Sequence, residues 1–173
     1  MKRKSSAPGK KSAQGAHPPV RLWLIRHAHA RDADDDAART LSQRGRGQVR
    51  ALAKFLAASR ALQPAEIWHS PLVRARQTAE LLGEHLRLDA PLIETAGLTP
   101  FDDPRTIARR IAALRLDIAI VGHEPHLSAL ASLFVTGKAT PPVFVLKKCA
   151  VLALERASAC WVVRWQVSPE LLA

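Results

Sequence analysis

The chain has 173 residues, of which 47% are hydrophobic and 24% charged, and its formal net charge is +11. This length suits one domain with a packed core, which we expect to comprise residues 20–173. No stretch approaches the roughly 20 apolar residues of a transmembrane helix, and no signal-peptide core is present. We therefore predict a cytoplasmic protein that has no membrane partner.

Residues 1–19 form a basic segment that is rich in Lys, Ser, Ala, Gly and Pro and has no apolar run. It carries the positive charges of Lys2, Arg3, Lys4, Lys10 and Lys11 without any acidic residue. Such a segment buries too little apolar surface to offset the entropy of ordering, so we predict a disordered tail. A weak electrostatic contact with nucleic acid or acidic lipid is the alternative interpretation of the tail. We do not expect nucleic acid to be the partner of the domain.

Short apolar runs alternate with helical patterns along the rest of the chain. The predicted strands are residues 21–25, 66–69, 117–121, 143–146, 150–154 and 161–167,. Apolar residues at helical spacing predict four helices, which start near Ser42, Ser70-Pro71, Asp103-Pro104 and Glu124-Pro125,. In the second helix Ser70 is the expected N-cap and Pro71 the first helical residue. Gly137 is the expected stop of the fourth helix.

This alternation predicts an α/β fold, a three-layer α/β/α sandwich with a mostly parallel central sheet. The last two strands add an antiparallel hairpin that turns near residues 157–159. Cys149 and Cys160 would then lie too far apart to bridge, and we expect both to be reduced. No Cys/His cluster accompanies them, so a structural zinc site is not predicted.

Three predicted strand ends carry a cation or an imidazole. Arg26 and His27 follow the first strand, Arg74 lies in the first turn after the second, and His123 follows a third. Open α/β sheets bind ligands beyond the carboxyl ends of their strands. Arginine forks suit phosphate oxygens, and an imidazole among cations stays neutral and nucleophilic near pH 7. The sequence therefore predicts a phosphate pocket at this edge of the sheet.

Four segments that include these residues form a motif set: LIRHA at residues 24–28, RTLS at 39–42 with Gly45, SPLVRARQT at 70–78 and VGHEP at 121–125. From about Arg21 to Val167 the chain resembles the histidine phosphatase superfamily and, within it, the small bacterial phosphohistidine phosphatases. The resemblance implies a phosphoglycerate mutase-like fold. It also implies a phosphatase that removes phosphate from a protein histidine, on a phosphorelay or phosphotransfer domain.

The resemblance also assigns roles to the residues of the pocket. His27 is implied as the nucleophile that is transiently phosphorylated, and Arg26, Arg74 and His123 as the groups that bind the phosphoryl oxygens. No metal or organic cofactor is implied, because the arginines supply the positive charge. The sequence does not indicate an oligomeric state.

Two departures from the family pattern bear on activity. Ala28 replaces the usual glycine after the nucleophile, and we expect activity to survive this small change. No obvious acid stands where larger relatives place a proton donor; Glu94 is the candidate, and a surface residue at a strand end is its other interpretation. A phosphate ester needs a proton on its leaving oxygen, whereas phosphohistidine has a labile bond and a basic leaving group. A missing acid therefore favours phosphohistidine.

Two other functions stay open at this point. A phosphomonoesterase acting on a small metabolite would need Glu94, Asp102 or Asp103 as its acid. A non-catalytic phospho-ligand-binding domain would result if Ala28 disabled the nucleophile loop. Lys147 and Lys148 could reach a substrate, but we expect them in solvent at a strand edge. Asp32, Asp34, Asp35 and Asp36 are expected in a solvated surface loop.

Overall fold

A mixed sheet forms the middle layer of the computed structural model, which describes residues 19–157 and 160–172. Within these residues the sheet has six strands in the order β3-β2-β4-β1-β5-β6. The strands are β1 (Val20–Arg26), β2 (Glu66–His69), β3 (Leu92–Glu94), β4 (Ile118–Gly122), β5 (Val151–Ala157) and β6 (Cys160–Val167). The pairs β2–β3, β2–β4 and β1–β4 are parallel, whereas β1–β5 and β5–β6 are antiparallel.

Helices cover both faces of this sheet. They are α1 (Gln43–Ser59), α2 (Val73–Leu86), α3 (Pro104–Ala112) and α4 (His126–Thr136), and a 3-10 turn (Pro169–Leu171) comes after β6. Apolar residues of α1 and α2 pack with Trp23, Ile25 and Val121 on one face. Those of α3 and α4 pack with Leu24 and Ile120 on the other. The predicted three-layer α/β/α sandwich with a mostly parallel sheet and a C-terminal hairpin is confirmed.

The carboxyl ends of β1, β2 and β4 meet at one edge of the sheet. The backbone N–H of His27 donates to the carbonyl of Gly122 at 2.9 Å, and that of Ser70 donates to Val121 at 3.0 Å. These hydrogen bonds continue the parallel ladder by one residue beyond each strand. The residues just beyond the three strands are therefore held side by side.

The predicted strand at residues 143–146 is wrong, because this segment has no regular structure. Its backbone groups bond to side chains of other elements instead of a neighbouring strand. The N–H of Val143 donates to Ser132 Oγ, Gln166 donates to the carbonyl of Val145, and Arg26 donates to that of Leu146. Tertiary contacts thus hold the segment against the sheet without pairing it.

The start of α2 also differs from the prediction. Ser70 and Pro71 were expected to open this helix, but it begins at Val73 with Leu72 as its N-cap. The hydroxyl of Ser70 is instead shared between the N–H of Leu72, at 3.3 Å, and the imidazole of His123, at 2.9 Å. The start of α4 agrees more closely with the prediction of Glu124-Pro125, because Pro125 is its N-cap. As predicted, the helix ends at Gly137, which has the left-handed conformation (φ +77°).

Three further expectations concern the whole chain. Cys149 and Cys160 are both free, as predicted. No helix within the described ranges is long and apolar enough to cross a bilayer. The predicted tail lies outside the described residues except for Pro19, so the division into tail and domain stays a prediction.

Candidate active site

His27 lies directly beyond β1 with its imidazole buried, at 4% exposure. Its Nδ1 is 2.7 Å from the carbonyl oxygen of Ala28. A carbonyl accepts hydrogen bonds and does not donate them, so Nδ1 carries the proton and Nε2 the lone pair. Burial lowers the pKa of His27 to about 2, and the positive charge of Lys148 adds to this effect. The ring is therefore neutral near pH 7, and the lone pair on Nε2 can act as a nucleophile.

His123 stands beside His27 at the end of β4. The two ring centroids are 4.9 Å apart, and Nε2 of His123 is 2.9 Å from Ser70 Oγ. Burial lowers the pKa of His123 to about 3, and the charges of Arg74 and Lys148 add to this effect. The structure thus brings the two predicted histidines together as neutral, hydrogen-bonding rings.

Arg26 and Arg74 provide guanidinium groups from β1 and α2. Arg26 donates to the carbonyl of Leu146 at 2.8 Å, and Arg74 is only 4% exposed. Within the described residues, the buried Nε atoms of both arginines have no hydrogen-bond partner. Each guanidinium therefore keeps donor capacity for an incoming oxyanion.

Asp36 accepts hydrogen bonds from both terminal nitrogens of Arg74. One nitrogen donates to the Asp36 backbone carbonyl at 2.6 Å, and the other donates to its carboxylate at 3.0 Å. Arg39 also bonds this carboxylate, at 3.1 Å, and hydrogen bonds from Arg39 and Arg74 lower the pKa of Asp36. Asp36 is exposed as expected, but the prediction of a purely solvated loop missed this contact.

Lys148 is a second residue whose surroundings differ from the preferred expectation. Its Nζ is 3.1 Å from Nε2 of His27, so the expectation of a solvated strand edge is wrong for this side chain. Lys148 stands before β5, and because β5 runs antiparallel to β1, its start lies at the edge where β1 ends. The signal was present in the predicted hairpin, but the strand-end rule covers only residues just after a parallel strand.

Ala28 is fully buried, and its backbone connects the nucleophile to α2. Its N–H donates to Thr78 Oγ1 at 3.0 Å, and that hydroxyl donates to the carbonyl of Arg74 at 2.7 Å. The threonine therefore couples the loop after His27 to the residue that bears the second guanidinium.

Within the described residues, no hydrogen bond joins His27 to the carboxylates considered as acids. Glu94 is exposed at the end of edge strand β3, and strands β2 and β4 lie between β3 and β1. Asp102 accepts the N–H of Thr99 at 2.7 Å, and Asp103 caps α3 by accepting the N–H of Arg105 at 3.0 Å. Each of these two aspartates stabilises its own turn. Across residues 19–157 and 160–172, no group of three or more His, Cys, Asp or Glu side chains could hold a metal ion.

Comparison with known proteins places this geometry in a family. The sequence model of the histidine phosphatase superfamily (branch 1) matches residues 22–102. Phosphohistidine phosphatase SixA of Escherichia coli (strain K12) is 28% identical over 155 residues, which are 87% of this chain and 94% of that protein. An uncharacterized protein of Picosynechococcus sp. is 31% identical over 148 residues, which are 81% and 87% of the two chains.

Solved structures agree with these sequence relatives. The structure of the protein histidine phosphatase SixA complexed with tungstate superposes with a TM-score of 0.80 at 27% identity and covers 89% of this chain and 100% of that one. The alpha-ribazole phosphatase from Shigella flexneri has a TM-score of 0.70 at 20% identity, covers 87% and 97% of the two chains, and shows the fold alone. The chain belongs to the histidine phosphatase superfamily, and its enzyme class is that of a phosphatase.

Proposed function

We propose that the protein hydrolyses protein phosphohistidine through a covalent phospho-His27 intermediate. The observation that carries this proposal is the neutral Nε2 of His27, held among Arg26, Arg74, His123 and Lys148. Phosphoryl transfer depends on positioning and on positive charge around the transferred oxygens more than on other covalent machinery. Within the described residues, the side chains around Nε2 supply both.

The first step begins when the phosphoryl group of the substrate enters this cluster. Its oxygens bind the guanidinium of Arg26 and displace Asp36 from that of Arg74, while His123 donates a further hydrogen bond. Nε2 of His27 then attacks phosphorus in line with the leaving nitrogen. The bond to the substrate imidazole breaks, and the phosphoryl group is bound to Nε2.

The second step releases phosphate. Water attacks the phosphorus of phospho-His27, and the electron pair of the P–N bond returns to Nε2. The proton stays on Nδ1 throughout, hydrogen-bonded to the carbonyl of Ala28, which keeps the tautomer that the next cycle needs,. The same groups clamp the phosphoryl oxygens in both steps.

A protein substrate is favoured by the surroundings of the pocket as well as by the similarity to SixA. The loops at this sheet edge expose Phe101, Val143 and Val145, at 90%, 60% and 71%. Exposed apolar side chains beside a polar site suit contact with another protein surface. A phosphorelay or phosphotransfer domain that bears phosphohistidine fits this combination.

The test uses a labelled phosphohistidine protein that is incubated with the enzyme, quenched at high pH and mapped for label. We expect label on His27, and we expect no turnover by His27→Ala. His85→Ala, near the end of α2 and away from the pocket, is the matched control and should behave as wild type. Hydrolysis at the wild-type rate by His27→Ala would overturn the mechanism.

Two further results would redirect the proposal. A panel of sugar and nucleotide phosphates tests the metabolite alternative. A kcat/KM for any of them above that for the phosphohistidine protein would identify a phosphomonoesterase that acts on a small metabolite. Binding of inorganic phosphate without any trapped phosphoenzyme or turnover would show a phospho-ligand-binding domain instead.

A further inference from the structure

We propose that Lys148 is a catalytic residue that carries the proton of the reaction, first to the leaving imidazole and then back from the attacking water. This inference rests on the phospho-His27 route proposed above. The motivating contact joins Lys148 Nζ to the reacting nitrogen of His27 at 3.1 Å. The carboxylates considered as acids make no hydrogen bond to His27 within the described residues, and the ammonium group stands where phosphorus must arrive.

The backbone around Lys148 sets this position. The N–H of Cys149 points to the carbonyls of Arg26 at 3.1 Å and His27 at 3.3 Å, and Cys149 has a positive φ of 61°. The N–H of Ala150 closes a turn onto the carbonyl of Lys147 at 3.0 Å. Residue 148 is therefore attached directly to the backbone of the nucleophile loop.

The charges around Lys148 tune it for proton transfer. Burial lowers its pKa to about 8, and nearby cations add to this effect while Asp36 opposes it. The titratable and charged groups that face it are Arg26, His27, Asp36, Arg39, Arg74 and His123. An acid whose pKa lies near the working pH is an efficient proton donor and, after donation, an efficient acceptor.

The proton balance closes over the two steps. In the first, Nε2 of His27 forms the bond to phosphorus, the leaving nitrogen takes the electron pair of the broken P–N bond, and Lys148 protonates that nitrogen. The phosphoenzyme then holds a phosphoimidazolium and a neutral amine. In the second, water bonds to phosphorus, its proton returns to Lys148, and the electron pair returns to Nε2.

Glu124 is the rival proton donor. It comes directly after His123, and burial raises the pKa of its carboxyl, although the charge of Arg26 opposes this. Within the described residues it makes no hydrogen bond to either catalytic imidazole, whereas Lys148 contacts His27. Lys148 is therefore better placed, and Glu124→Gln provides the comparison.

The experiment compares Lys148→Met and Lys148→Arg on two substrates, with exposed Lys147→Met as the matched control. On phosphohistidine protein we expect both Lys148 variants to lose about 10²-fold in kcat/KM, the low end of the range for general acid catalysis, because neither side chain releases a proton near neutral pH and the labile bond needs less help than an ester. On p-nitrophenyl phosphate, whose leaving anion needs no proton, Lys148→Arg should stay within about tenfold of wild type. Lys147→Met and Glu124→Gln should keep activity on both substrates.

The pH profile gives a readout that a structural role would not move. Wild-type kcat/KM for phosphohistidine protein should fall as pH rises through about 8, where Lys148 loses its proton,. Both Lys148 variants should lack this limb while unfolding at the wild-type temperature.

Different outcomes distinguish a failure of the Lys148 proposal from a failure of the proposed phosphatase function on which it rests. Near-wild-type turnover of phosphohistidine by Lys148→Arg with an unchanged profile would show a charge clamp and overturn proton transfer. Loss of activity in Glu124→Gln but not in Lys148→Met would transfer the role to Glu124. Turnover by the wild type without any label on His27 would overturn the proposed function itself.

Discussion

Gly45 lies against the backbone of His29 so closely that a Cβ at this position would overlap the carbonyl oxygen of His29. That carbonyl accepts the N–H of Ser42 at 3.0 Å, and the N–H of His29 donates to Gln48 at 2.9 Å. The first turn of α1 therefore supports the segment just after the nucleophile. Only Ala28 separates His29 from His27, so the glycine fixes the loop on which the reacting nitrogen depends.

Gly45→Ala should lower the free energy of unfolding by about 1–3 kcal/mol, because the backbone of His29 must move to admit the methyl group. Urea unfolding measures this change. Gly47→Ala is the control, since nothing lies within 4 Å of a Cβ there. In a helix interior that change should stabilise by up to about 1 kcal/mol. Equal effects of the two alanines would contradict the close contact.

Asp36→Ala should bind inorganic phosphate or tungstate several-fold more tightly than the wild type. The carboxylate competes with the oxyanion for Arg74, whereas the backbone carbonyl of residue 36 continues to hold that guanidinium. Isothermal titration measures the affinity. Asp34→Ala, an exposed substitution in the same loop with the same change in charge, controls for long-range electrostatics. Weaker binding by Asp36→Ala alone would mean that the carboxylate orders the pocket and does not block it.

Thr78→Val should leave the buried N–H of Ala28 without its acceptor. We expect a loss of about 1–3 kcal/mol in the free energy of unfolding, together with lower kcat, because the loop after His27 loses its tie to α2. Thr78→Ser keeps the hydroxyl and should retain most of the free energy of unfolding and most of kcat. If valine and serine behave alike, the hydrogen bond at 3.0 Å does not hold the loop.

Stability should fall as the solution is acidified below about pH 6.5. The folded pKa values of His27 and His123 are about 2 and about 3, below the ordinary value of 6.5. Between these values the unfolded chain binds protons that the folded protein does not, so acid favours unfolding. Each histidine should cost about 1.4 kcal/mol at pH 5.5 and nothing well above pH 6.5. Urea midpoints at pH 5.5 and pH 7.5 measure this, and His123→Gln should show a smaller drop than the wild type.

The placement of the candidate site at the carboxyl ends of parallel strands was predictable from the sequence. Arg26, His27 and His123 stand where apolar runs end, and hydrogen bonds between neighbouring strand ends then bring such residues together. Arg74 was predictable from the helix start, although that start lies two residues later than predicted. Local patterns were sufficient here because each residue stands within a few positions of its strand.

Contacts between distant segments were not predictable in the same way. The strand expected at residues 143–146 has apolar residues typical of a strand, yet side chains of α4, β1 and β6 take its backbone groups. Asp36 and Lys148 reach the site from a loop and from an antiparallel strand start. Charged side chains are ordinarily expected in solvent. Only the tertiary arrangement shows that Asp36 and Lys148 each face another charged or titratable group.

The double contact of the Cys149 N–H with the end of β1 has a consequence for substitutions at position 148. The main chain alone holds residue 148 beside the nucleophile, so the identity of its side chain is free to vary without moving the sheet or the phosphate-binding arginines. The side chain at position 148 can therefore be substituted without disturbing the fold of the site. A carboxylate, a hydroxyl or an apolar group placed there would present different proton chemistry to one unchanged nucleophile, and leaving-group preference would shift by single substitutions.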